Sequence, residues 1–133
     1  MSTMPIILLV DDDPDFVEAT CAVLESVPYR VLVAHSGREG LALARETRPD
    51  VIILDVIMPG EDGFQTLETL RADSAMDRIP VMILTSLPDH LSVASIGDAD
   101  TDVEDYIGKP IKPAELLQRV AKLVKLGRAT RSS

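Results

Sequence analysis

Tryptophan is absent from this chain, and two tyrosines and two phenylalanines are its only aromatics. A core must therefore be assembled from Val, Ile, Leu, Ala and Met, and Tyr106 stands out against that background. The single cysteine, Cys21, cannot form an internal disulfide; its place in an apolar helical pattern reads as a small core or boundary residue rather than a reactive thiol. No apolar run approaches the roughly 20 residues that span a bilayer, and Met1 to Pro5 lack the basic flank of a signal peptide. The expectation is a cytoplasmic chain without membrane insertion. His35 and His90 stand alone, with no Cys/His spacing of a zinc site, and each reads as a surface residue.

What is present is a 133-residue chain, 46% hydrophobic, long enough for one domain with a real core and too short for two of ordinary size. Residues 1–126 are assigned to that domain, and 127–133 are expected to form a disordered tail. The net charge of -9 is uneven. Residues 109–133 carry seven bases against Glu115, a balance of +6, which leaves -15 on residues 1–108. An acidic body repels polyphosphate, so direct nucleic-acid binding is not expected. The basic stretch reads most simply as a solvated helix face whose cations complement the helix dipole, with a docking surface for an acidic partner as the sharper alternative.

The stretch that organises the chain is Val51-Ile52-Ile53-Leu54-Asp55. An apolar run without alternation suits a strand buried on both faces of a parallel sheet, and it delivers a carboxylate where the strand leaves the core. Taken alone, Asp55 could merely open a turn. The rest of the chain repeats the pattern. Ile6 to Val10 predicts a first strand ending on Asp11-Asp12-Asp13, and Asp13 with Pro14 caps a helix bearing Phe16, Thr20, Val23, Leu24 and Val27 on one face before Pro28 stops it. Tyr29 to Ala34 predicts a second strand. Ser36 caps a helix over Gly37–Thr47 with Leu41, Leu43 and Ala44 inward, and Arg48-Pro49-Asp50 breaks it. After a Met58 to Gly63 loop, Phe64, Leu67 and Leu70 mark a third helix. Val81 to Leu84 gives a fourth strand ending on Thr85-Ser86.

A short fourth helix around Leu91 to Ile96, then a long acidic loop, precede a brief strand Tyr106-Ile107-Gly108 ending on Lys109-Pro110. Pro113 opens a final helix with Leu116, Leu117, Val120, Leu123 and Val124 on one face. Alternating strands and helices predict a doubly wound parallel sheet with helices on both sides.

On that frame Asp11, Asp12, Asp55, Thr85 and Lys109 all fall at carboxyl ends of strands, where such sheets bind ligands. Like-charged pairs at ~4 Å cost ~4 kcal/mol at an effective dielectric of ~20, so a positive group must compensate. An all-oxygen donor set favours a hard cation such as Mg²⁺. With Lys109 opposite, Asp55 could act as a nucleophile toward a phosphoryl group and become an aspartyl phosphate, and the Thr85 hydroxyl could bond a phosphoryl oxygen. The run Asp98 to Asp102 suggests calcium, yet Val103 stands where such a loop needs glycine and Lys109 where it needs glutamate. A solvated acidic loop is the better reading.

The residues Leu8-Leu9-Val10-Asp11-Asp12-Asp13, Asp55 with Met58-Pro59-Gly60 and Asp62-Gly63, Thr85-Ser86, Tyr106 and Lys109-Pro110 resemble the receiver domain of two-component response regulators, in a single-domain, chemotaxis-regulator-like form. The resemblance spans residues 6 to 110. It implies a flavodoxin-like five-stranded sheet in order 2-1-3-4-5 with five helices, the fourth short or displaced. It further implies that a sensor histidine kinase or phosphotransfer protein phosphorylates Asp55, with Asp11, Asp12, Asp55 and the carbonyl of Ile57 holding Mg²⁺ and Lys109 pairing with the phosphate.

Pro110 matches a position that commonly follows a cis peptide bond, and Thr85, Ser86 and Tyr106 resemble the switch residues that pass the signal to a protein effector. No enzymatic activity beyond the domain's own phosphotransfer and autodephosphorylation is implied. The span from Thr85 to Tyr106 is about two residues longer than usual in that family and lacks its common Ala-Gly-Ala segment. Ile57 and Leu87 are apolar where polar residues often influence loss of phosphate. Two other readings remain: an aspartate-nucleophile phosphatase, which usually needs a second aspartate at the position of Ile57, and a scaffold that binds partners without phosphorylation.

Overall fold

The computed structural model describes residues 4–58, 61–85, 103–108 and 111–132. Five strands, β1 (Ile6–Val10), β2 (Arg30–Ala34), β3 (Val51–Leu54), β6 (Val81–Thr85) and β7 (Asp105–Gly108), form one parallel sheet in the order β2-β1-β3-β6-β7. Setting aside a two-residue antiparallel pair, β4 (Ile57–Met58) with β5 (Glu61–Asp62), this is the 2-1-3-4-5 arrangement. The helices are α1 (Pro14–Leu24), α2 (Gly37–Thr47), α3 (Gly63–Ala72) and α4 (Pro113–Ser132). The expected helix around Leu91–Ile96 lies outside the described residues.

Strand side chains alternate between two faces, and each face has its own core. Leu8, Val10, Ile52, Leu54, Val81 and Ile83 pack with Ala44 of α2 and with Leu67 and Leu70 of α3. Ile7, Leu9, Val51, Ile53, Met82 and Leu84 pack with Leu24 of α1 and with Leu116, Val120, Leu123 and Val124 of α4. Runs without polar interruption are thus used in full, because both faces are covered.

Caps follow their residues. Asp13 Oδ1 accepts the N–H groups of Asp15 at 3.1 Å and Phe16 at 3.3 Å, with Pro14 at the first helical position. Ser36 Oγ accepts Glu39 N–H at 3.1 Å, and Arg48 ends α2 in the left-handed region at φ 50°. Helix α1 stops at Leu24, before the Pro28 that the sequence suggests as its limit.

The C-terminus corrects the tail expected over 127–133: α4 continues to Ser132. Its sequence offers no proline to break the helix. Gly127 is buried so closely on Pro80 and the carbonyl of Asp50 that an added Cβ would lie 3.0 Å from Pro80 Cδ.

Candidate functional site

Strands β1 and β3 are neighbours in register, Val10 opposite Leu54, so the residues that follow them are neighbours too. Asp55 N–H donates to the Val10 carbonyl at 3.0 Å, and Asp11 N–H donates to the Ala34 carbonyl at 3.0 Å. Each bond carries the ladder one residue past its strand and fixes the backbone from which a carboxylate projects. Asp11, Asp12 and Asp55 each place a carboxylate oxygen within 4.8 Å of the other two. Asp11 and Asp55 are 1% and 4% exposed, whereas Asp12 is exposed. Asp13 N–H donates to Asp11 Oδ1 at 3.0 Å, which orients that carboxylate.

Buried carboxylates this close carry a cost. At 4.8 Å and an effective dielectric of about 20, the Asp11–Asp55 pair alone repels by about 3.5 kcal/mol. Hard, oxygen-only donors gathered at this spacing, with Asp12 on the solvent side, fit a small divalent cation that keeps several waters or a phosphate among its ligands. Mg²⁺ therefore suits the set, and Asp11, Asp12 and Asp55 are the residues that would hold it.

The other expected site residues fall as follows. Thr85 ends β6, opposite Gly108 in register, and so shares the carboxyl edge. Tyr106 lies in β7, with its hydroxyl oxygen buried and its ring among the side chains packed on the α2–α3 face. Ile57 begins the short β4 directly after the Asp55-Val56 step. Lys109, Pro110, Ser86 and Leu87 lie outside the described residues, as does the acidic run 98–102.

Several residues that shape the site were missed in the sequence. Gly63 opens α3 against Val56, and a Cβ there would sit 2.4 Å from Val56 Cα. At the opposite edge of the sheet, the buried Asp50 carboxylate accepts Ile6 N–H at 2.8 Å. Arg71 donates to the Asp77 and Ile79 carbonyls at 3.0 and 2.8 Å and pairs with Glu104 at 2.8 Å; Glu104 also accepts Val81 N–H at 2.7 Å. A buried-edge aspartate just before a strand was the only signal available for Asp50. The Arg71–Glu104 pair spans 33 residues and left none.

Comparison with known proteins agrees with this geometry. The family model of the response regulator receiver domain matches residues 7–121. Protein PilH of Pseudomonas aeruginosa is 36% identical over 114 residues, covering 86% of this chain and 93% of its own. DNA-binding response regulator MtrA of Mycolicibacterium smegmatis is 38% identical over 114 residues, covering 86% of this chain, which spans only 48% of MtrA.

Among solved structures, a response regulator of Chloroflexus aurantiacus superposes with a TM-score of 0.84 at 32% identity, covering 92% of this chain and 99% of its own. The receiver domain of sensor histidine kinase PA1611 of Pseudomonas aeruginosa, with a magnesium ion coordinated in its active-site cleft, gives 0.81 at 29% identity, covering 92% and 99%.

Proposed function

This chain belongs to the response regulator receiver domain family, and from that premise we propose that Asp55 is its phosphoacceptor, charged in the cytoplasm by a sensor histidine kinase or phosphotransfer protein and read by a protein effector. The observation that carries the reading is the convergence of Asp11, Asp12 and Asp55 at one strand edge, two of them buried. Asp55 attacks phosphorus, the phosphohistidine P–N bond breaks with its electron pair left on the imidazole, and an aspartyl phosphate forms. Mg²⁺ in the acidic set supplies positive charge against the carboxylates and the phosphoryl oxygens. Asp11 and Asp12 hold that charge in place, the Ile57 carbonyl adds a ligand, and Lys109 meets the phosphate. Thr85, with Ser86, is drawn to a phosphoryl oxygen and Tyr106 responds, so that phosphorylation shifts an existing two-state balance.

The donor's approach is supported by an apolar groove of about 210 Å³ between the start of α1 and the segment after β7, lined by Phe16, Ala19, Val23, Ile111 and Leu116. It opens at the same edge as the acidic set, where a helix bearing the donor histidine can lie.

The chain performs only its own phosphotransfer and autodephosphorylation; it is not an enzyme for a separate substrate. Acetyl phosphate with Mg²⁺ tests this against the phosphatase reading. A receiver takes up one phosphate per chain and the Asp55→Asn variant takes up none, whereas multiple-turnover release of phosphate overturns the proposal.

A further inference from the structure

The edge of the sheet where strands begin, opposite the acidic site, carries a cavity of about 150 Å³ lined by Arg48, Ser74, Ala75, Asp77, Arg78 and Ile79. It lies where the turn after α2 meets the turn between α3 and β6. Its wall thus offers two guanidinium groups, one hydroxyl and one carboxylate. Among the described residues, neither Arg48 nor Arg78 has an ion-pair or side-chain hydrogen-bond partner.

Two features make this wall more than a pair of surface arginines. Arg48 sits in the left-handed region at φ 50°, the helix-ending position that glycine fills at least cost. Residues held in such conformations concentrate at functional sites. The facing turn is also fixed in advance: Asp77 and Ile79 carbonyls are held by Arg71 at 3.0 and 2.8 Å, Ala75 N–H by Asp73 Oδ1 at 2.9 Å, and Met76 N–H by the Asp73 carbonyl at 2.9 Å. A preformed wall lowers the ordering cost of binding.

We infer that this cavity binds a protonated phosphate group. Its volume equals about five liquid-water shares of about 30 Å³, room for the five heavy atoms of a tetrahedral oxyanion. Guanidinium forks suit oxyanion oxygens, and the Ser74 hydroxyl adds a donor. The Asp77 carboxylate repels a bare anion but accepts the proton of a P–OH group. The site therefore discriminates against sulfate, which carries no proton near neutral pH. Binding here requires neither Mg²⁺ nor Asp55 and stands apart from the phosphoacceptor reading.

Amide NMR titration of the Asp55→Asn chain without Mg²⁺, near neutral pH and at matched ionic strength, tests the inference with orthophosphate, sulfate and methyl phosphate. Orthophosphate is expected to give saturable shifts confined to residue 48 and residues 74–79, with affinity about tenfold above sulfate. Loss of a charge-assisted hydrogen bond in Arg48→Gly, a substitution that suits the backbone there, weakens phosphate by about tenfold, and Arg78→Gln does the same without altering the α2 turn. Asp77→Asn narrows the gap to sulfate. Methyl phosphate binding assigns the site to phosphomonoesters, and its exclusion assigns it to free phosphate. Equal response to sulfate and phosphate, or unchanged affinity in both arginine variants, overturns the inference and leaves only diffuse electrostatic attraction.

Discussion

Replacing Gly63 by alanine probes how the third helix is seated beside the phosphoacceptor. A Cβ at residue 63 would lie 2.4 Å from Val56 Cα, 2.9 Å from its Cβ and 3.0 Å from its Cγ1. The first contact is with backbone, which cannot rotate away, so α3 or the Asp55-Val56 step has to move. Overpacking of this kind costs about 1–3 kcal/mol, and a backbone clash belongs at the upper end. Alanine returns about 0.5–1 kcal/mol by restricting the unfolded chain, leaving a net loss of about 2 kcal/mol. For 133 residues each kcal/mol moves the melting temperature by about 3–4 °C, so Gly63→Ala should melt about 7 °C lower.

Gly40→Ala is the matched control. There the nearest atom is Val10 Cγ2 at 2.8 Å, a side chain that can turn, and the helix-propensity gain of about 1 kcal/mol offsets most of the strain. Thermal melts followed by circular dichroism, with the rate of phosphate uptake from acetyl phosphate recorded on the same samples, read both effects. A Gly63→Ala protein that melts with the wild type and accepts phosphate at the same rate would refute the close seating of α3 on Val56.

Arg71→Gln removes charge-assisted bonds to Asp77, Ile79 and Glu104 from a side chain only 14% exposed, and urea unfolding should show a loss of about 2–3 kcal/mol. Asp50→Ala leaves Ile6 N–H unpaired at a buried edge and should cost about 1–3 kcal/mol by the same assay, with Asp50→Asn, which keeps an acceptor, costing clearly less. Ile57, apolar beside the phosphoacceptor, should hinder an attacking water: radiolabel is expected to leave the Ile57→Asn protein faster than the wild type, and equal rates would remove that role.

The sheet was legible because its signal is compositional. Val51 to Leu54 and Val81 to Leu84 are too apolar for any strand but a doubly covered one, and Asp11 and Asp55 follow from where those strands stop. Pro14 and Ser36 marked helix starts because their chemistry is local. What stayed hidden depends on the third dimension. The β4–β5 pair read as loop, since a two-residue ladder has no periodicity. Arg48 read as a helix breaker, with nothing to announce its left-handed backbone. The end of α4 read as tail because the burial of Gly127 on Pro80 joins residues 47 positions apart. The switch chemistry expected of Ser86 and Lys109, and the geometry of Pro110, fall outside the described residues, so the phosphate-facing half of the site rests on the sequence motif.

Borohydride trapping of the acyl phosphate, followed by peptide mass mapping after treatment with acetyl phosphate, tests the central claim most directly. Reduction should leave homoserine at position 55 alone, only when Mg²⁺ is present, and far less of it in Asp11→Asn and Asp12→Asn proteins. Trapped product at another residue, or the same yield at position 55 without a divalent cation, would contradict the assignment of the three convergent carboxylates to one cation-dependent phosphoacceptor site.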